Sequence, residues 1–277
     1  MEKSIRAQKI DQIKQLFRTL ITETFGDLTL YAFLGGSLAF NIDKKNSDID
    51  CVVVLKDKAY QDIEIKNKIK RFVRGYLKIH QICGYTPDLN FPGDIISESQ
   101  KEEALGGLGF VSEGSVKTFL VIKEKDWDRQ NIDYRVWLTE IAFDSNMFVT
   151  GNLTLFRKDS MQAMDTILKF ILFLSNGQKI DPENVCNEIF KKGKPFLGLS
   201  DLYRPVFESR LIEKLKLSFN HLETSGLVNK SGTYFQINFP LIKVWEADIL
   251  AKSKRKRSSY LISWQETRNY MRLLENE

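Results

Sequence analysis

Apolar side chains recur at helical spacing from residue 4 to residue 25. Ile5, Ile10, Ile13, Phe17, Leu20 and Ile21 carry the stripe, and lysines and arginines fill the positions between them. This pattern predicts a long amphipathic helix, stopped by Gly26-Asp27. The period then shortens. Leu28–Leu34 is a brief apolar run and predicts a strand. Gly35-Gly36-Ser37 is a turn, with Ser37 as the cap of a short helix through Phe40, and Asp43–Ser47 is a polar turn. Asp48–Leu55 predicts the next strand. Its apolar character is continuous from Cys51 and β-branched, as expected of a strand buried on both faces. Residues 59–75 predict a second helix with Ile63, Ile65, Ile69, Phe72 and Val73 towards its buried side, and Tyr76–Tyr85 predicts a third strand. Pro92-Gly93-Asp94 is a turn. The glycines at 106, 107, 109 and 114 make Ser97–Gly114 an irregular excursion. Residues 116–124 and 134–143 are apolar enough for strands, and the second also suits a helix.

Beyond about residue 156 the helical period takes over. Asp159–Leu174 is a dense helical stretch with Asp159 or Ser160 as cap. Asp181-Pro182-Glu183 starts another helix, with proline in the first turn. Residues 201–224 and 239–276 follow the same period. The expected fold class is α+β, with a mixed sheet flanked by helices over residues 1–156 and a mainly helical domain over 157–277.

Composition narrows the class. At 43% hydrophobic and 28% charged, the 277-residue chain has a globular rather than a disordered profile. Its net charge of +5 permits an anionic substrate without demanding a nucleic acid. The most apolar runs, Cys51–Leu55 and Phe170–Leu174, fall far short of the roughly 20 residues a membrane span needs. The first residues, Met-Glu-Lys-Ser-Ile-Arg-Ala-Gln, hold no apolar signal core. Cys51, Cys83 and Cys186 have no paired spacing, which argues against a disulfide framework and a zinc site. A cytoplasmic location and no membrane partner are expected.

The candidate chemistry lies where the Gly35-Gly36-Ser37 turn is followed, eleven residues after the serine, by Asp48-Ile49-Asp50. Strand alternation puts Asp48 and Asp50 on one face and Ile49 on the other. Paired carboxylates repel unless a cation sits between them, and Mg²⁺ commonly uses one or two carboxylates together with substrate phosphates. The turn offers backbone N–H groups to the same phosphates. The two halves describe a site for a metal-bound nucleoside triphosphate.

This order of helix, strand, Gly-Ser turn, short helix and Asp-x-Asp strand resembles the signature of the DNA polymerase β-like nucleotidyltransferase superfamily. In the two-domain members, including those that inactivate antibiotics, such a module precedes a helical domain. The resemblance implies transfer of a nucleoside monophosphate from an NTP to a hydroxyl, with Mg²⁺ or Mn²⁺ as cofactor and two-metal catalysis. It implies phosphate binding by Gly35, Gly36 and Ser37, and metal binding by Asp48, Asp50 and a third carboxylate. Asp88, just past the third predicted strand, is the best match for that third acid, ahead of Glu140 and Asp144. It would help hold the metal or draw the proton from the acceptor.

The acceptor is less well defined. The chain's size and modest charge favour a small-molecule hydroxyl. The basic run Lys252–Arg257, flanked by Trp245, Tyr260, Trp264 and Tyr270, offers RNA or protein as an alternative acceptor. The same run also reads as a solvated helix face. A non-catalytic nucleotide sensor is a third reading, and it has less need of both acids. His80 and His221 read as lone histidines in core or surface positions. Cys51 and Cys83, in predicted strands, read as small buried apolar residues.

Overall fold

The computed structural model describes residues 2–39, 43, 46–87, 94–107, 111–112, 115–116, 138, 141–142, 147–175, 179–192 and 204–253. They form an α+β fold. The chain divides into two compact units, the first drawn from the described residues of 1–101 and 144–157, the second from those of 102–143 and 158–258.

The first stripe becomes α1 (Glu2–Phe25), which buries Ile13, Phe17, Ile21 and Phe25. After it come β1 (Thr29–Leu34), α2 (Gly36–Ala39), β2 (Cys51–Leu55), α3 (Ile65–Cys83), β3 (Asp94–Ser97), α4 (Glu98–Leu105), β4 (Phe148–Gly151) and α5 (Leu153–Ser175). The four-stranded sheet has the order β3-β2-β1-β4. β1 is antiparallel to both β2 and β4, while β2 and β3 run parallel, so the sheet is mixed. Every residue of β2 is buried, as its continuous apolar run requires. Alternation sorts the rest. Ala32, Leu34, Cys51, Val53 and Leu55 share one core with α1 and α3. Tyr31 and Phe33 instead meet Phe156 of α5, with ring centroids 5.4 and 5.2 Å apart. Burying a side chain of this size contributes about 1.5–3 kcal/mol.

Several elements differ from expectation. Tyr76–Tyr85 is not a strand: it continues α3, whose buried residues Ile65, Ile69, Phe72, Val73, Tyr76, Ile79 and His80 keep the helical period to the end. Gly75 lies in mid-helix. Its role is a close approach, because a Cβ there would lie 2.2 Å from Leu20 Cδ1 of α1. Gly84, with φ +71°, closes the helix as a left-handed C-cap. Ile63 precedes α3 and is almost fully exposed, and Cys83 ends a helix, half-buried.

The third strand of the sheet is β3, which begins at Asp94, a residue expected in a turn. The stretch from Ser97 begins with α4 rather than an irregular excursion. Ser97-x-x-Gln100 is a capping box: the Gln100 N–H donates to Ser97 Oγ (3.1 Å) and the Ser97 N–H to Gln100 Oε1 (2.7 Å). α5 starts at Leu153, and its cap is Asn152, whose Oδ1 accepts from the Leu155 N–H at 2.9 Å. Asp159 and Ser160, the expected caps, are buried inside the helix.

In the second unit, α6 (Pro182–Lys192) starts where expected. Asp181 Oδ1 caps it by accepting from the Asn184 N–H at 2.9 Å. Next come α7 (Arg204–Thr224), the hairpin β5 (Val228–Ser231) and β6 (Tyr234–Ile237), and α8 (Phe239–Ser253). The hairpin was not expected. It turns at Gly232, and Phe235 stacks on Phe219 of α7 with centroids 4.4 Å apart. Among the described residues no helix is long and apolar enough to cross a membrane.

Candidate active site

The antiparallel ladder of β1 and β2 closes at the pair Leu34–Cys51. One step further, the Gly35 N–H donates to the Asp50 carbonyl at 2.9 Å. This closure brings the Gly-Gly-Ser turn against Asp50, the last residue of Asp48-Ile49-Asp50. The strand begins at Cys51, later than expected, and the three residues run straight into it. Ile49 is fully buried in the core under α1 and α3, while Asp48 and Asp50 are half-buried. Burial therefore alternates along the three residues.

Gly36 is set directly against Asp50. Its φ is +61°, and a Cβ built on it would lie 1.6 Å from Asp50 Oδ2. Only glycine gives both that backbone conformation and that approach. Beside it, Ser37 lies within α2 rather than capping it. Ser37 Oγ is buried with no hydrogen-bond partner among the described residues, an arrangement that usually signals a missing ligand or water. Burial, with the Asp50 charge adding to it, pushes the neighbouring Cys51 thiol up, so this cysteine is no nucleophile.

His80 also belongs to the site. From α3 its Nε2 accepts the Ile49 N–H at 2.9 Å, and its Nδ1 lies 2.9 Å from the Tyr76 carbonyl. A carbonyl can only accept and an amide N–H can only donate. Nδ1 therefore carries the hydrogen and Nε2 the lone pair, so the ring is neutral. It is fully buried, 4.1 Å from the Tyr76 ring centroid. The expectation of a lone histidine in a core or surface position allowed for its burial but missed this bond, because the segment read as a strand. The signal was the continuation of the α3 stripe through Tyr76 to Ile79 and His80.

Burial lowers the His80 pKa from 6.5 to about 4, with the hydrogen bond to Tyr76 opposing the fall. Between these values the unfolded chain binds a proton that the native one does not. The stability is therefore complete above pH 6.5 and drains away as the pH falls towards 4, by on the order of 3 kcal/mol. Urea unfolding at pH 7 and pH 4.5 should show this loss in the wild type and lack its share in His80→Gln. Equal pH slopes in the two proteins would contradict the assignment.

The approach to Asp48 is tied down as well. Asp43 takes an ion pair from Arg6 of α1 and a 2.7 Å hydrogen bond from the Tyr85 hydroxyl. Burial opposes the Asp43 charge, but these two donors outweigh it and hold the carboxyl below its usual range. The Thr86 N–H donates to the Ser47 carbonyl at 3.1 Å.

The other predicted site residues are placed less fully. Asp88, Glu140 and Asp144 lie outside the described residues, as do Arg255, Lys256, Arg257, Tyr260, Trp264 and Tyr270. Asp94 opens β3 in register with Val52, two residues beyond Asp50. Among the described residues, no three His, Cys, Asp or Glu side chains converge as a metal cage.

In the second unit Lys252 pairs with Asp248 at 2.6 Å. His221 is not lone either: its Nδ1 pairs with the buried Asp165, which also accepts from Ser218 Oγ at 2.6 Å. A hollow of about 790 Å³ at the start of α6 is lined by Asp181, Glu183, Lys216, Asn220, Lys230 and Tyr234, among others, and it favours neither sign of charge.

Compared with known protein families, with curated proteins and with solved structures, the chain matches none.

Proposed function

We propose that the chain is a metal-dependent nucleotidyltransferase of the DNA polymerase β-like kind, moving an NMP from an NTP to a hydroxyl of a small-molecule acceptor. The observation that supports this most is the fit of the Gly36 backbone against the Asp50 carboxylate, beside the buried Ser37 hydroxyl, which has no hydrogen-bond partner among the described residues. The missing side chain lets the turn's backbone lie directly against the carboxylate, and the Ser37 hydroxyl supplies a donor beside it.

Asp48 and Asp50 would hold Mg²⁺ or Mn²⁺, and their all-oxygen donor set suits these ions. When bound, the metal neutralises triphosphate charge and lowers the pKa of the acceptor hydroxyl. The chain's own residues do the rest. The Gly35 N–H is committed to the Asp50 carbonyl and braces the turn, so contact with the terminal phosphates falls to the backbone of Gly36 and Ser37 and to the Ser37 hydroxyl. Asp88, by resemblance, takes the acceptor proton. The acceptor oxygen bonds to the α-phosphorus, the bond to the β-phosphate breaks, and pyrophosphate leaves.

The test is pyrophosphate release from each of the four NTPs with Mg²⁺ or Mn²⁺, against a small-molecule panel and against total RNA. Release that needs metal and a small-molecule acceptor supports the reading. Release only with RNA or protein moves the acceptor to a macromolecule. Tight NTP binding without release under any acceptor favours a sensor. In the same assay Asp88→Asn is expected to stop turnover. Loss confined to Asp94→Asn or Glu140→Gln would transfer the third role to that residue.

A further inference from the structure

We infer that His80 is a positioning residue for the Asp48–Asp50 pair and sets its metal affinity through the backbone of Ile49; this rests on the function proposed above. The residue between the two acids has a single N–H to anchor it. The β1–β2 ladder ends at Leu34–Cys51 and the Gly35–Asp50 bond, so Ile49 lies beyond it. Its N–H goes instead to the imidazole Nε2 from α3 at 2.9 Å. The other ring nitrogen is fixed by the Tyr76 carbonyl at 2.9 Å. Both bonds require the same neutral tautomer, so the ring cannot turn over without losing them.

Full burial and the Tyr76 ring at 4.1 Å fix the imidazole in place. The Ile49 side chain is itself fully buried in the core. Ile49 is thus held at two points, its side chain and its N–H, and the two carboxylates on either side inherit a fixed backbone. Metal-binding carboxylates need such support from the backbone that carries them, because their oxygens must be held close to the productive geometry. An apolar residue at position 80 would fill the space but leave the Ile49 N–H without its acceptor.

The experiment measures Mn²⁺ binding to the full chain by the electron paramagnetic resonance of free Mn²⁺, alongside Tm, kcat and KM for the NTP. The variants are His80→Leu, His80→Gln, His80→Asn, Asp50→Asn and Val73→Ala. His80→Leu is expected to weaken Mn²⁺ by about 10- to 100-fold, the usual cost of removing a group that orients a metal ligand, with kcat falling in step. His80→Gln keeps an acceptor at the reach of Nε2 for the Ile49 N–H and should stay within about threefold of the wild type. Val73→Ala, on the same buried face of α3, should lower Tm and leave Mn²⁺ affinity unchanged.

Wild-type affinity in His80→Leu overturns the inference, as does an equal loss of affinity in Val73→Ala at matched Tm. If His80→Leu does not fold, His80→Asn replaces it, since its amide is too short to reach Ile49. Equal affinity in the Asn and Gln variants then overturns the inference. Asp50→Asn separates the two readings. If it loses Mn²⁺ while His80→Leu does not, the site stands and only the role of His80 falls. If the wild type itself binds no Mn²⁺, both fall together.

Discussion

Asparagine at Asp48 or at Asp50 is expected to cut NMP transfer by about 10³-fold or more, on the order of 4 kcal/mol of transition-state stabilisation, while the fold stays intact. Each substitution leaves the shape almost unchanged and removes one of two charges from a half-buried pair. The remaining carboxylate holds the ion less tightly and in a different position relative to the triphosphate, so the loss should appear in kcat even at high NTP. Stability should change far less than activity. The exchange is isosteric and the residues are only half-buried, so Tm should stay near the wild-type value. Pyrophosphate release and a thermal melt on the same samples check both halves. A variant that melts early and turns over poorly would mark the aspartates as structural, and full turnover in either variant would remove the site.

The second large effect is at Gly36. Alanine there meets two separate obstacles: a left-handed φ of +61° and an Asp50 Oδ2 only 1.6 Å from the new methyl. The backbone strain alone costs about 1–3 kcal/mol. The clash must push the carboxylate or the turn aside, because the aspartate side chain is short and its backbone is pinned on both sides, by Gly35 through the Asp50 carbonyl and by His80 through the Ile49 N–H. Activity should therefore fall as far as in Asp50→Asn, now with a loss of stability. A double-mutant cycle separates the two parts. In an Asp50→Ala background only the Cβ of residue 50 remains near the methyl, at 3.3 Å, and Gly36→Ala should cost little beyond the backbone term. Additive stabilities across the cycle would show that Gly36 and Asp50 do not meet.

Much of this site was legible in the sequence because its geometry is local. A turn that ends one strand and an acid pair that starts its antiparallel neighbour must meet if the two strands pair, and the apolar continuity of Cys51–Leu55 showed that the second strand is central. What stayed hidden depends on tertiary partners. The expected helix ends at Gly75, where the structure packs Leu20 closely and the helix continues. With the helix ended there, His80 falls on a strand and its bond to Ile49 has no reason to exist. The α4 start was present as Ser97-x-x-Gln100, a local signal masked by the glycines that follow. Asn152 outcompeted Asp159 as a cap because the apolar positions 156, 163, 164 and 167 already share one buried face. The Asp165–His221 pair joins two helices 56 residues apart, a distance at which no spacing rule operates.

Because the site is fastened by the last rungs of the β1–β2 ladder, the number of residues between Ser37 and Asp48 is not what defines it. The ladder fixes where the turn leaves and where the acids return, and the intervening chain has only to span the gap. Lengthening such a connection is cheap, since each doubling of a flexible loop costs about 0.6 kcal/mol. Grafted loops of different length between these two points should therefore leave the Gly36–Asp50 contact in place, provided that Asp43, or an acid placed like it, still reaches Arg6 and Tyr85. The excursion is thus the natural place for this architecture to diverge, and the place where an added peptide or recognition segment would disturb the chemistry least.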